Sequence, residues 1–363
     1  MKTKMKSGPL ARVASLAASV AARDPLSMFS RVALSATKNY LHITGGDGTC
    51  QVSARLDAES NEDWNAAVPA ALFARFAGAL PDGDLQLTAS KSKLSLDCCG
   101  VRFGLSAFEA AAAMAAPKDC DSLAVDSAVL YAMLERTAFA ACEDETRKAC
   151  VGVHVKKESG MLMAVATDGR RLAYAEFGGV DAGVAAFAET LPQKTVDLLV
   201  KLLSKTDGEV SIRTKDHAFM VTGPDWCVTS VTNANKYPEW RRVVPKGLPH
   251  RARIGRADFV AALKRAALSS FDSDAVAISL ADGKASFGAR SEVSSAGQDI
   301  AACHIDGGAV FAASFQPQNL LEPLEVVDDE EIEVLFSDEQ YVPIMIKSTV
   351  SPWFCVVMPL RKK

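Results

Sequence analysis

The residues most able to do chemistry lie in one short string, Thr167-Asp168-Gly169-Arg170-Arg171. An aspartate beside two arginines could serve as a catalytic carboxylate on a nucleotide or sugar phosphate, with the guanidinium groups holding the phosphate. The same string also reads as a turn. There the Asp carboxylate accepts backbone amides, and the arginines face an anion or a partner. Nothing else completes an active site. The chain has no GxxxxGK[ST] phosphate loop, no GxGxxG between a strand and a helix, and no GxSxG nucleophile turn. Gly45-Gly46-Asp47-Gly48 reads as a flexible turn, since no helix with a lysine follows it. The five histidines are scattered and form no HExxH. Nine cysteines make an odd number, and none form a CxxC. This argues against structural zinc and a disulfide framework, and points to a reducing cytoplasm. No cofactor or metal is expected, and no enzymatic activity.

The elements that would position such residues belong to a folded, water-soluble chain. Its 363 residues are 49% apolar and 23% charged, which predicts two or three domains. No apolar run is long enough for a membrane span. The first residues, basic and then Ala-rich, resemble a signal peptide only faintly. Arg12 interrupts the apolar run and no small-residue cleavage site precedes Arg23, so the segment reads as a mature amphipathic helix.

A repeat dominates the organisation. Asp82–Leu87, Asp207–Ile212 and Asp329–Val334 each read as a turn opening an alternating strand, at offsets of 125 and 122 residues. A short amphipathic helix precedes each: Pro69–Leu80, Gln193–Leu203 and Pro317–Leu324. Pro323 should keep the third short or kinked. A second helix family opens each unit at Pro9–Ala18, Ser127–Arg136 and Arg256–Arg265, and β-rich runs such as Tyr40–Thr44, Met161–Ala166 and Ala275–Leu280 lie between. The expectation is α+β: three tandem domains, 1–120, 121–246 and 247–363, each a doubled helix-plus-strands unit.

Charge is unevenly placed. Six candidate helical stretches, taken with their flanks (1–23, 69–80, 127–137, 191–205, 246–265 and 316–326), carry a net +11, which leaves −15 on the rest of a chain of net charge −4. If the helices share a face, that face is basic and suited to a phosphate backbone. Ordinary solvated helix charge is the competing reading.

Three motifs carry a resemblance. Val165–Ala173 (VATDGRRLA), Lys236–Pro245 (KYPEWRRVVP) and Cys355–Arg361 (CVVMPLR) resemble the bacterial DNA polymerase III beta subunit, the sliding DNA clamp, in that family's order and near its spacings. Phe315–Leu321 (FQPQNLL) resembles the start of its third-domain helix. The resemblance covers the whole chain. It implies a head-to-tail homodimeric ring with helices inside and sheets outside, threaded by duplex DNA without sequence preference. It also implies tethering of the DNA polymerase III alpha subunit, opening by a clamp loader ATPase, and docking of other proteins with a clamp-binding motif. Geometry agrees: twelve helices at ~10 Å spacing leave a hole of roughly 28 Å, and B-DNA is about 20 Å wide.

By the same resemblance, a partner peptide docks at Cys150, Thr167, Gly169, Arg170, Arg171, Leu172, Pro238, Arg242, Val243, Val356, Val357, Met358, Pro359 and Leu360. Apolar members would form a floor, and arginines at the rim would offer donors. Val356 and Val357 could equally be core residues. Arg23 matches a basic family position, whereas Lys194, Lys201, Arg256, Lys264 and Arg265 are expected to face DNA from helix charge alone. Phe103, Leu105 and Leu268 match apolar positions of the dimer seam. The sequence departs from the family at Cys150, where a larger aliphatic residue is common. It also departs in an acidic cluster reduced to Glu292 and Asp299, and in the ending Arg361-Lys362-Lys363. Two alternatives stand beside the clamp: a clamp-like regulator that binds partners without closing on DNA, and a phosphate-handling enzyme using Asp168.

Overall fold

The computed structural model describes all residues except 25, 270–274, 291–294, 301–302, 340 and 362–363. Glu292, Lys362 and Lys363 therefore lie outside the described residues, as does the side chain of Asp299. The chain forms two compact units: Met1–Ser127 with Lys205–Thr232, and Ala128–Ser204 with Asn233–Lys363.

In the first unit a five-stranded antiparallel sheet runs in the order Glu59–Ser60, Lys2–Lys6, Asp84–Ala89, Lys93–Cys98, Val101–Ser106. An eight-stranded sheet runs Leu123–Asp126, Glu209–Lys215, Ala218–Thr222, Trp226–Val231, Cys50–Asp57, Tyr40–Gly46, Arg31–Ala36, Trp64–Pro69. Strands far apart in sequence join at its middle, where Trp226–Ser230 pairs with Cys50–Ala54. Helices α1 (Ser7–Val20) and α2 (Ala70–Gly78) pack together, and α1 lies on the strands Tyr40–Gly46 and Cys50–Asp57. That approach explains Gly45: a β-carbon there would sit 2.0 Å from the Ala17 carbonyl oxygen. Gly45 and Gly46 are thus strand residues, Gly45 under the helix, and only the Asp47-Gly48 part of the GGDG string turns.

The expected N-terminal helix is corrected at its start. Lys2–Lys6 is a strand. Its sequence Lys-Thr-Lys-Met-Lys alternates with period two, so Thr3 and Met5 are buried while the lysines face water. Trp64 Nε1 donates to Thr3 Oγ1 at 2.8 Å and fixes the inward face.

In the second unit a nine-stranded sheet runs Phe187–Leu191, Val153–Glu158, Met161–Thr167, Arg171–Gly178, Trp353–Val357, Ile344–Ser348, Glu331–Phe336, His250–Gly255, Cys303–Ile305. A four-stranded sheet runs Ser295–Ile300, Lys284–Arg290, Val276–Ala281, Phe311–Phe315. The helices are α3 (Ser127–Ala138, whose first residue lies at the edge of the first unit), α4 (Gln193–Leu203), α5 (Arg256–Ala267) and α6 (Gln318–Glu325). Pro323 keeps α6 to eight residues, as expected.

The helices are also less basic than their flanks suggested. Their residues include eight Lys or Arg against five Asp or Glu, a net of +3. The remainder of the expected +11 lies elsewhere. Three of those lysines are on the strand Lys2–Lys6, and Arg251 and Arg253 sit on a strand where both pair with Glu333, at 3.1 and 3.2 Å.

Candidate functional site

The Thr167–Arg171 string is a turn between the strands Met161–Thr167 and Arg171–Gly178. Asp168 Oδ1 accepts the amides of Arg170 and Arg171 at 2.8 and 3.0 Å, and its Oδ2 accepts Arg171 Nε at 3.1 Å. Thr167 Oγ1 accepts the Gly169 amide at 3.1 Å and donates to the Arg171 carbonyl at 2.7 Å. Gly169 has a φ of +84°, and a β-carbon there would lie 2.6 Å from Arg147 Nη1. Arg147 in turn donates to the Asp168 carbonyl at 2.8 Å. Both Asp168 oxygens accept hydrogen bonds that shape the turn.

Arg171 corrects a second expectation. Its side chain is only 10% exposed and is no rim donor. It pairs with Glu322 of α6 at 2.6 Å and with Asp168 at 3.1 Å, and donates to the Phe139 carbonyl at 2.7 Å. Its guanidinium lies 5.2 Å from the centre of the Phe139 ring. A planar fork with several donors can tie turn, α6 and the end of α3 together in this way. Arg170 is the exposed one, and it donates to Gln316 Oε1 at 3.0 Å.

The C-terminal strand Trp353–Val357 pairs with this hairpin, Val357 opposite Arg171 and Val356 opposite Leu172. The tail continues the attachment: the Met358 amide donates to the Arg170 carbonyl at 2.9 Å and the Leu360 amide to the Ser314 carbonyl at 2.7 Å. Side chains alternate in consequence. Val357 and Pro359 are buried, while Met358 and Leu360 remain 41% and 37% exposed.

The turn, the start of α6 and the tail enclose a cleft of about 390 Å³, lined by Gly169, Arg170, Gln316, Asn319, Met358, Pro359, Leu360 and Arg361. Five of the expected pocket residues meet here: Gly169, Arg170, Met358, Pro359 and Leu360. Gln316 and Asn319 were not among the expected residues. Their signal is the Phe315–Leu321 segment, which by itself points only to a helix start. A larger hollow of about 550 Å³ adjoins over the four-stranded sheet and shares Pro359 and Leu360.

The other expected pocket residues do not line that cleft. Leu172 and Val356 belong to a buried cluster with Met163, Val165, Tyr174, Tyr237 and Met345. The segment after residue 236 lies across it, with Trp240 4.9 Å from the Tyr174 ring and Val244 and Leu248 packed on the cluster. Pro238, Arg242 and Val243 ride on the outside of that segment, Val243 62% exposed. Cys150 is half-buried, its amide donating to the Arg147 carbonyl at 2.8 Å, and burial pushes its thiol pKa up.

Beneath the segment His154 stacks on Tyr237 at 4.6 Å, and burial lowers its pKa to about 4. His154 is therefore neutral in the fold and takes a proton on unfolding below its ordinary value of 6.5. Stability should fall as pH drops from about 6.5 to about 4, because the unfolded chain binds the extra proton in that window. Denaturant melts across this range check it. His154→Phe should flatten the slope, and an unchanged slope removes His154 as its source.

Most of the expected DNA-facing residues are exposed. Arg23 is exposed just beyond α1, Lys194 and Lys201 are exposed on α4, and Arg265 on α5. Arg256 is otherwise engaged, donating to the carbonyls of Asp329 and Leu324 at 2.9 and 3.0 Å. Lys264 pairs with Glu325 at 2.7 Å. Of the expected seam residues, Leu268 is 79% exposed just after α5. Leu105 is 4% exposed and faces its own core. Phe103 is half-buried, stacked on Phe76 at 4.5 Å. Their strand Val101–Ser106 is nonetheless the edge of its sheet.

Among the described residues no group of three or more His, Cys, Asp or Glu could hold a metal ion, and no helix is long and apolar enough to cross a membrane.

Comparison with known proteins places this arrangement. Models of the DNA polymerase III beta subunit match the chain in three consecutive pieces: the N-terminal domain over residues 6–113, the central domain over 124–239 and the C-terminal domain over 241–361. The beta sliding clamp of Treponema pallidum is 25% identical over 345 residues, covering 92% of each chain. That of Pseudomonas aeruginosa is 26% identical over 344 residues, covering 93% of this chain and 94% of its own. The crystal structure of the Pseudomonas aeruginosa DNA polymerase III subunit beta superposes with a TM-score of 0.92 at 25% identity, covering all of both chains. With three clamp domains in the order its repeats suggested, the chain belongs to the family of bacterial DNA polymerase III beta subunits, the beta sliding clamps.

Proposed function

We propose that this protein is a DNA polymerase processivity factor: two copies close head to tail around duplex DNA and slide, tethering the polymerase without catalysis of their own. The observation that carries the reading is the match of all three clamp domains in sequence, together with whole-chain likeness to a DNA polymerase III beta subunit. The same match argues against the phosphate-handling alternative. The domains take the limits 1–120, 121–246 and 247–363, and the protein works in the cytoplasm.

For the seam we propose the edge strand Val101–Ser106 of one copy against the Leu268 region of the other. An edge strand offers a row of unused backbone donors and acceptors to a second chain. Leu105 supports this strand from inside, and Leu268 offers exposed apolar surface. For DNA we propose Arg23, Lys194, Lys201 and Arg265 as loose phosphate contacts. All four are exposed. The partners would be duplex DNA, the DNA polymerase III alpha subunit, a clamp loader ATPase and other proteins with a clamp-binding motif.

The partner peptide would dock in the cleft beside the Thr167–Arg171 turn, with Met358 and Leu360 as apolar contacts and Arg170 as a rim donor. Cys150, Pro238, Arg242 and Val243 would form its outer margin, over the Leu172 and Val356 floor. Met358→Ala should weaken a labelled peptide carrying a clamp-binding motif about tenfold, the effect of losing ~1.4 kcal/mol at one contact. Fluorescence anisotropy reads this, with circular dichroism to verify the fold. Equal affinity for both proteins takes Met358 out of the pocket.

A further inference from the structure

The first unit carries two adjacent thiols that the sliding-clamp reading does not use. Cys98 and Cys99 lie where the strands Lys93–Cys98 and Val101–Ser106 meet in a hairpin, their sulfurs 4.0 Å apart. Cys98 pairs with Val101, so Cys99 and Gly100 are the two turn residues. Both have left-handed backbones, with φ of +49° and +82°. A two-residue hairpin turn of this kind favours Asn, Asp or Gly at its first position, because other side chains crowd the backbone there. Cys99 takes that position with its side chain exposed, so burial does not offset the strain.

The surroundings make room for its sulfur. A β-carbon at Gly83 would come within 2.5 Å of Cys99 Sγ, which also lies 3.8 Å from the Asp82 carbonyl. The nearby Lys6 ammonium is paired with Asp84 at 2.6 Å, so the site at Cys99 is defined by exposure and by contact with Cys98. Cys98 contrasts with this. It is buried, its thiol lies 3.2 Å from the Pro81 carbonyl, and burial raises its pKa. An exposed thiol is the one an oxidant reaches first, and a buried thiol in contact with it is suited to resolve.

We propose that Cys99 and Cys98 form a hydroperoxide-reactive dithiol, in which Cys99 attacks and Cys98 resolves. The Cys99 thiolate attacks one oxygen of a hydroperoxide and the O–O bond breaks. Cys99 becomes a sulfenic acid, and the alcohol leaves with a proton. The Cys98 thiol then attacks the Cys99 sulfur. The S–S bond forms, and the sulfenic hydroxyl leaves as water with the Cys98 proton. Two thiols are oxidised and one hydroperoxide is reduced to alcohol and water. Neighbouring α-carbons are only ~3.8 Å apart, closer than most disulfides span, so the oxidised turn must change shape. Strained disulfides are the readily reduced ones, so the change is reversible by thiols. The strand leaving this turn is the sheet edge proposed for the seam. That consequence rests on the clamp reading, whereas the dithiol does not.

The test uses the full-length protein, hydrogen peroxide, alkylation of remaining thiols and trypsin. Cleavage after Lys93 and Arg102 yields a peptide, Leu94–Arg102, holding Cys98 and Cys99 and no other cysteine. In wild type this peptide should become lighter by two hydrogen atoms and resist alkylation, and thiol treatment should restore it. Cys98→Ser should instead leave a sulfenic acid on Cys99 that dimedone captures several-fold more than in wild type. Cys99→Ser, at the exposed position, should yield neither product. Cys98→Ala repeats the first variant without a buried hydroxyl, and thermal melts verify that each folds. Equal dimedone capture in wild type and Cys98→Ser overturns the resolving role. Full alkylation of Cys98 and Cys99 after peroxide, with oxidation at Cys120 or Cys150 instead, overturns the site. Retention of the reduced protein on circular DNA is measured separately, so failure of the dithiol and failure of the clamp reading give different results.

Discussion

Loaded on circular duplex DNA, the protein should survive a high-salt wash, and a single double-strand cut should release it. The argument is electrostatic. Among the described residues the six α-helices carry a net of only +3, and Arg256 and Lys264 are engaged within the chain. The four proposed phosphate contacts of one copy would lose roughly 150-fold in affinity between 50 and 200 mM salt, through counterion release at ~0.9 per phosphate. Direct binding of that kind does not survive a salt wash, whereas a closed ring leaves only by opening or by sliding off an end. Retention on plasmid before and after linearisation, with free ends, decides between them. Equal retention on both forms rejects topological linkage and returns the weight to direct contacts by the basic residues.

Leu268→Asp should convert the dimer to monomer without disturbing the chain's own fold. Leu268 is 79% exposed, so the monomer loses little when it becomes polar. In a closed seam the same side chain would bury an unpartnered carboxylate, at a cost of several kcal/mol. A loss of ~3 kcal/mol corresponds to about 150-fold in dimer affinity. Sedimentation velocity near the wild-type dissociation constant reads the shift, and an unchanged melting temperature at high dilution verifies the fold. A dimer of unaltered affinity places the seam away from Leu268. Phe103→Ala is the poorer probe, because its stacking on Phe76 ties the seam to the packing of α2.

The two experiments are linked. A Leu268→Asp protein that is monomeric yet still retained on circular DNA would contradict the ring. A dimer that is lost equally from circular and linear DNA would match the alternative of a clamp-like regulator that binds partners without closing.

Much of this protein is written locally. Apolar residues at three- and four-residue spacing in Gln193–Leu203 determine an amphipathic helix wherever that segment is placed. Pro323 limits α6 through its missing amide and its ring. The Asp168 turn follows from a short carboxylate followed by a glycine able to take φ of +84°. The order of such units, repeated three times, and the motifs at 165–173, 236–245 and 355–361 were sufficient to suggest the family.

What tertiary structure decided are properties that depend on neighbours distant in sequence. Lys2–Lys6 is a strand because its partner, Asp84–Ala89, lies about eighty residues away, and only that pairing turns its lysines out of any helix. Arg170 and Arg171 are adjacent and chemically identical. One lines a cleft while the other is only 10% exposed, because Arg171 opens the next strand with its guanidinium turned toward Glu322 and Phe139. Gln316 and Asn319 enter the cleft only because the tail is held by the Ser314 carbonyl and the Arg170 carbonyl. Leu105 looks like a free apolar seam residue in sequence, yet it is consumed by its own core. Residue type and periodicity set what each segment can form. Which side chains remain available to DNA, a peptide or a second copy is settled by long-range pairing, since burial is a property of the whole packed unit.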